Sequence, residues 1–415
     1  MIEVRPKAIA DQTRLLGLPQ GSGSVHLDAL RGLAAFAVLL VHWRSVFYVD
    51  YAHVPRPGFL LFTAYTLTDL GHQAVMVFFV LSGYLVGGSV LRAVKTAKWS
   101  WREYLIARLS RLYIVLAPAL VLGAAFDWTG VHLPGLEAIY GAPGKAGTLN
   151  LSVSSSLTLR AFLGNFAFLQ SVRGSGTGGH VVATFGSNIP LWSLSNEFWY
   201  YIAFPIAVLA LSRSRTGLVR SVYAVALVLW CWFVGPSVVT YGIPWFIGAA
   251  IHSLPRFPSQ RPWARRTAII VALAMMAACI MTVKGGPTWA KDMLFAECAA
   301  AFVWVVTSRT TGVAPEWYAR LAHGAARNSY TLYLVHLPFL IFLKAVLHVP
   351  LFDPTLKSLV PTLGLLAVIL GYTRVAYLLF EKHTDALRQW LRRHAVRPQR
   401  TIGEELPGTA AQTAH

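Results

Sequence analysis

The amino-acid sequence predicts an all-α integral membrane protein of about ten transmembrane helices, with the N- and C-termini cytoplasmic. Three observations predict it. Hydrophobic residues make up 55% of the 415 residues and charged residues only 13%, about half the charged share of a soluble chain. The mean hydropathy is +0.53, and the apolar residues gather in runs of about 20, the length that spans a bilayer core as a helix. The basic residues alternate in density from one connection to the next, as the positive-inside bias requires. Disorder, a collagen-like fibre and a secreted disulfide scaffold are excluded by the same composition. Cys231, Cys279 and Cys298 all fall inside apolar runs, without the spacing of a metal site, and read as buried thiols.

Residues 1–24 are polar and read as a cytoplasmic tail, with Gly21–Ser24 as a flexible joint. The first apolar run ends in His42, Trp43 and Arg44 rather than in small residues, which argues against a cleavable signal peptide. Spans are expected at about 27–48, 72–91, 108–127, 190–211, 217–234, 237–254, 267–283, 291–307, 329–348 and 358–380. One connection is long: residues 128–189 are rich in Gly, Ser and Thr, with a glycine run at Gly174–Gly179 and an amphipathic stretch at Thr158–Gln170. Long segments of this kind are often functional, and a substrate-covering role is expected. Residues 382–415 form a basic cytoplasmic tail, and 25–381 the membrane domain. No inverted repeat of the kind found in many transporters is visible.

The net charge is +19, from 36 basic and 17 acidic residues. In a soluble chain this would suggest nucleic acid. Here, with the N-terminus inside, 25 of the 36 basic residues fall on inner segments and nine on outer ones, so topology absorbs most of the excess. There is no glycine-rich phosphate loop, no zinc spacing and no stacking platform for nucleic acid.

Ionisable groups inside spans are costly and therefore candidates for function. Arg31 and His42 lie eleven positions apart in the first span. Eleven residues is close to three helical turns, so the two share a face and stand roughly 16 Å apart along the axis. A permanently charged guanidinium suits phosphate, and a neutral imidazole suits general-base work. The separation also matches an extended pantetheine arm, so a cytosolic coenzyme-A thioester can set its phosphates near Arg31 and its acyl group near His42. The alternative for these two residues is a snorkelling arginine and a packing histidine.

Several segments, in chain order, resemble acyltransferase family 3. Leu27-Asp28-Ala29-Leu30-Arg31 with His42 resembles its Arg-ten residues-His helix, and Phe78–Leu85 its second-helix signature. Arg108-Leu109-Ser110-Arg111 with Pro118 resembles the basic start of its third helix. Trp192-Ser193-Leu194-Ser195-Asn196-Glu197 and Asn328–His336 resemble two further family segments. The resemblance implies a stand-alone integral membrane O-acyltransferase of the bacterial cytoplasmic (inner) membrane. Such an enzyme takes an acyl group, most commonly acetyl, from acetyl-CoA or another acyl-CoA. Its partners are membrane lipids, the acyl-CoA and a glycan, glycolipid or small-molecule acceptor, with no nucleic acid. Two residues depart from the family pattern: Ala107 replaces the first arginine of the basic motif, and Met76 stands where many members have Asp.

The candidate site residues follow. His42 is the general base or transient acyl carrier, with Glu197 expected at the same depth, orienting it as a carboxylate orients a catalytic imidazole. Arg31, Arg108 and Arg111 form a cationic mouth for the cofactor's phosphates. Ser82, Tyr333 and His336 are expected to line the cofactor, His336 from the inner half of its span. A covalent acyl-serine at Ser82 is disfavoured because no base is adjacent in sequence. Asp28, Trp192 and Asn196 are candidates for the acceptor side. Glu297, Arg374 and Asp127 have no evident partner, although Glu297 and Arg374 can be imagined as a structural pair. The competing function is a multi-span transporter or flippase of a glycan or lipid intermediate, which explains the spans but not the Arg31–His42 spacing. A non-catalytic scaffold needs only that the matched residues pack.

Overall fold

The computed structural model describes residues 22–141, 144–147, 149–151, 153–173, 179–258, 261–282, 288–308 and 314–395. The described chain is dominated by helices, as the composition predicts. Helix α1 is Ser22–Phe47. It starts inside the stretch read as a flexible joint, because its first turns are held by tertiary contacts. Val25 and Leu27 are buried, and His26 Nδ1 lies 2.9 Å from the Tyr318 hydroxyl.

Next come α2 (Phe59–Leu67) and α3 (Gly71–Ser82), the latter passing through a widened π-helical stretch, Gly83–Gly87, into α4 (Gly88–Lys95). Helix α5 (Trp101–His132) follows, capped at its start by the Ser100 side chain, which accepts from the Glu103 amide. In the long segment 128–189, β1 (Gly144–Ala146) and β2 (Leu149–Leu151) pair antiparallel, the only two-stranded sheet among the described residues. The amphipathic stretch contains α6 (Leu159–Phe166). It is tied down by Asn165, which donates to the carbonyls of Ala161 and Ala183 and accepts from the Phe185 amide. The glycine run at 174–178 lies outside the described residues.

The remaining helices are α7 (Leu191–Leu211), α8 (Gly217–Ala250), α9 (Pro262–Thr282), α10 (Thr288–Thr307), α11 (Glu316–Arg327), α12 (Ser329–Val346), α13 (Leu356–Leu379) and α14 (Thr384–Ala395). Helix α14 occupies the start of the stretch read as a C-terminal tail, and Arg392 Nε pins it 2.9 Å from Glu103 Oε2 on α5.

Among the described residues, eight helical segments are long and apolar enough to cross a membrane, two fewer than expected, and each difference has a physical reason. The expected spans 217–234 and 237–254 are continuous in α8, broken by Gly235 at φ +82° and followed by Pro236. The chain reverses there. Before the break α8 runs antiparallel to α7, with Arg220 donating to the Ala210 carbonyl and Phe233 against Trp199. After it α8 runs parallel to α7, with Val238 accepting from the Tyr200 hydroxyl and Trp245 against Phe204. Helix α10 has the length, but it carries Lys291, Asp292 and Glu297.

The apolar windows of the continuous stretch Phe59–Lys95, which contains α3, and of α12 are each 72% buried, whereas that of α9 is 6% buried. The centre of the bundle is therefore α3 and α12, with α9 at its rim. Cys231, on α8, is exposed, Cys279 intermediate and Cys298 buried, so the expectation of three buried thiols holds only for Cys298. An apolar run reads the same whether it faces lipid or protein. Asp127 has a partner after all: its carboxylate accepts from the Ser187 amide and hydroxyl. Arg374 donates to Asn328 Oδ1 at 3.0 Å and not to Glu297.

The tightest crossing joins α3 to α8. A Cβ on Gly83 would fall on the Trp245 carbonyl, and one on Gly248 would fall on the Val80 carbonyl, so each backbone excludes a side chain on the other. Gly83→Ala and Gly248→Ala should each destabilise the purified protein by about 1–3 kcal/mol through overpacking. Gly364→Ala, where a Cβ meets nothing, should leave the thermal midpoint unchanged. Equal midpoints for all three variants in a thermal-shift assay would contradict the crossing.

Candidate active site

Five helices carry polar residues along the bundle axis. Two cavities open between them, of about 110 and 240 Å³, both larger than the water-sized voids of ordinary packing. The first is lined by Arg31 of α1, Ser82 of α3, Arg108 and Arg111 of α5, Glu197 and Tyr201 of α7, and Tyr330 and Tyr333 of α12. The second is lined by His42 and Ser45 of α1, Asp69, His72 of α3, Trp192 of α7 and Tyr333. Leu149, Ile189 and Pro190, from the long connection between α5 and α7, also line the second cavity.

Tyr333 belongs to both cavities and is the partition between them. Its hydroxyl bonds Ser193 Oγ at 2.6 Å and donates to the Pro190 carbonyl at 3.2 Å. The Phe78 ring meets its ring edge-on, with centroids 5.6 Å apart.

The first cavity is cationic. Arg31 is held by Asp28, Nη2 to Oδ1 at 2.8 Å. The Arg108 guanidinium lies 6.0 Å from the ring centroids of both Tyr104 and Tyr201. Arg111 stands within electrostatic reach of Glu197, Glu381, Tyr201 and Tyr330. The buried Nε atoms of Arg31 and Arg108 have no hydrogen-bond partner, and a buried unpaired donor is costly. An anion entering this cavity therefore meets free donors as well as charge. Glu381 limits the positive field: its carboxylate accepts from the Thr331 amide and hydroxyl and faces Arg31 and Arg111.

Glu197 belongs to this cavity and not to His42, which corrects the expected carboxylate–imidazole pair. Its Oε1 accepts from the Ser82 hydroxyl at 2.5 Å and from the Tyr201 hydroxyl at 2.6 Å. Trp245 Nε1 donates to Ser82 Oγ at 3.1 Å. The reason lies in where α7 starts. Pro190, just before it, is already at the level of Tyr333, so Glu197, seven residues on, lies about 10 Å further toward the arginines. Sequence spacing shows no base near Ser82, yet the fold puts a carboxylate on its hydroxyl.

His42 has a different partner. Its Nδ1 lies 2.8 Å from Nε2 of His336, and His336 Nδ1 lies 2.8 Å from the Leu332 carbonyl. The carbonyl only accepts, so His336 carries its proton on Nδ1 and presents a bare Nε2. His42 must then donate from Nδ1, which leaves Nε2 of His42 as the lone pair. The tautomers follow from the partner at the end of the chain. His336 was expected near the cofactor; it stands one turn beyond Tyr333, on the far side of the partition from Tyr330, and is fully buried.

The acceptor-side candidates separate. Trp192 lines the cavity of His42. Asp28 lies at the arginine end, shared between Arg31 and His323 Nδ1, each at 2.8 Å. Asn196 is buried beside Tyr200 and lines neither cavity. Sequence reasoning missed Glu381, Tyr201, His72 and Asp292. His72 Nδ1 lies 3.5 Å from Asp292 Oδ2. Asp292 is an ionisable residue inside an apolar run, the same signal that picked out Arg31.

The tautomer chain predicts the nitrogen signals of the two rings. In the purified protein with ¹⁵N-labelled histidine, neutral His42 and His336 should each show a protonated Nδ1 and a bare Nε2. A bare Nδ1 on His42 would contradict the chain, and His336→Leu should release the His42 preference.

The chain as a whole was compared with known proteins. Neither a curated protein nor a solved structure matches it. The acyltransferase domain family, by contrast, matches residues 25–381, a span that contains both cavities and every residue named above at their walls. The chain therefore belongs to acyltransferase family 3 and is a multi-pass membrane acyltransferase.

Proposed function

We propose that the protein is a ten-span enzyme with both termini cytoplasmic, which transfers an acetyl group from cytosolic acetyl-CoA to a hydroxyl of a carbohydrate, glycolipid or exported metabolite. The bacterial cytoplasmic membrane is its location. One observation carries this reading: an arginine-lined cavity and a histidine-lined cavity meet at Tyr333. A donor with an anionic head and a long neutral arm fits the first. The unpaired Nε donors of Arg31 and Arg108 suit its phosphates, with Arg111 adding charge. The arm then runs toward Tyr333 and delivers the thioester to the edge of the second cavity.

The acceptor enters the second cavity from the other side. Its hydroxyl gives its proton to Nε2 of His42, the one ring nitrogen that the tautomer chain leaves as a base. The alkoxide attacks the thioester carbonyl, and the thiolate leaves toward the arginines. His336 does the work expected of a carboxylate: by accepting from Nδ1 of His42 it fixes the ring and shares the charge that the ring acquires. Glu197 acts on the donor side, holding Ser82 and Tyr201 at the cavity wall. A transporter would need no thioester chemistry, and membership of an acyltransferase family does not favour it.

Comparative mass spectrometry of surface glycans, lipids and exported metabolites, with and without the gene, should reveal an added acyl mass. His42→Ala should abolish that mass while leaving membrane insertion intact; full retention would sink the assignment. In purified protein, Arg108→Gln and Arg111→Gln should each raise KM for acetyl-CoA by about tenfold, the loss of one charge-assisted phosphate contact, and leave kcat within a few-fold. A lowered kcat at unchanged KM would contradict the phosphate role.

A further inference from the structure

The second cavity holds two histidines whose surroundings are opposite in kind. His42 faces a neutral ring, His336. His72 faces a carboxylate: its Nδ1 lies 3.5 Å from Oδ2 of Asp292. The Asp292 side chain is 0% exposed, whereas that of His72 is 55% exposed and lines the cavity.

A carboxylate withdrawn this far from water needs a countercharge, and the ion-pair partner that the structure gives Asp292 is His72. The pair is therefore best satisfied when His72 carries a proton on both nitrogens. The ring is also fixed in plane, stacked on Trp192 with centroids 5.9 Å apart at 29°. Tyr241 backs the carboxylate and meets the other edge of Trp192. Asp69, the other acid at this wall, is taken by Arg44 at 2.5 Å. With Nδ1 turned to Asp292 at ion-pair distance, Nε2–H remains as the donor of a ring that lines the same cavity as His42.

Two titratable groups held in opposite states beside one cavity are the usual sign of an acid and a base. We propose that His72, held by Asp292, is a second catalytic residue of the transfer proposed above: its Nε2–H donates to the thioester carbonyl oxygen while Nε2 of His42 takes the acceptor's proton. The inference rests on that reading of the cavity. In the step, the acceptor O–H bond breaks with its proton passing to His42, and the new C–O bond forms. The carbonyl electron pair moves onto oxygen and is held by His72. On collapse the C–S bond breaks with its pair on sulfur, and the thiolate takes the proton back from His42. His72 and Asp292 end as they began, so no other reactant is needed. A fixed donor aimed at the developing oxyanion acts in the transition state and not on the bound donor.

The test uses the full chain in lipid nanodiscs with acetyl-CoA and a metabolite and membrane extract of cells carrying the protein, reading thiol release. His72→Gln should lower kcat by about 10²–10³-fold, the usual cost of losing one oxyanion donor, with KM for acetyl-CoA unchanged. Asp292→Asn should lower kcat in the same direction, and the double variant should be no worse than His72→Gln alone, because the two act as a unit. Thermal midpoints, read in parallel, should match the parent protein. A His72→Gln protein with undiminished kcat, while His42→Ala is inactive, would overturn the dyad and leave the proposed function standing. Loss of kcat, KM and midpoint together would mark a packing pair and overturn it equally. A fully active His42→Ala protein would instead remove the proposed function, and the dyad with it.

Discussion

The hydrogen bond between His42 and His336 constrains the rest of the site. Two imidazoles at 2.8 Å inside an apolar bundle hold a lone pair at a defined nitrogen only because a third group, the Leu332 carbonyl, ends the chain of donors. That carbonyl is four residues before His336 on α12, so the helix backbone itself sets the tautomer. Helix α12 must consequently be held in register with α1. It is among the two most buried helices, and the register also places Tyr330, Tyr333 and His336, three residues apart, along one line through the bundle. The line runs from the arginine cavity through the partition to the histidine cavity.

A second constraint acts at the level of the backbone. The crossing of Gly83 and Gly248 brings α8 so close to α3 that Trp245 reaches Ser82. The widened π-helical stretch Gly83–Gly87 begins there, as such stretches often do beside functional residues. Together they fix Ser82 between an indole N–H and the Glu197 carboxylate. Close packing thus makes the wall of the arginine cavity, whereas buried hydrogen bonding makes the wall around His42.

The apolar runs, the alternation of charge and the Arg31–His42 spacing were legible in the sequence because each depends on local period alone. Arg31, Arg108 and Arg111 do come to one cavity, and Trp192 does join His42. What was not legible depends on where helices start relative to one another. Glu197 reaches the depth of His42 only if α7 starts well beyond Tyr333, whereas α7 begins at the level of that partition. His336 departs from its expected place for the same reason, with opposite sign. Asp28 reads as an acceptor contact only until the neighbouring Arg31 and His323 are seen to take both of its oxygens. One turn before Met76 on α3, His72 meets Asp292 of α10. No spacing rule connects residues 72 and 292.

The central claim is that donor and acceptor approach the Tyr333 partition from opposite ends. The most direct measurement is an electron cryo-microscopy structure of the full chain with a non-cleavable thioether analogue of acetyl-CoA. The account predicts phosphate density against Arg31, Arg108 and Arg111, and the arm ending beside Tyr333 with its acyl mimic facing His42. Density for the analogue in the histidine cavity with its phosphates among Asp69 and His72, or outside both cavities, would contradict it.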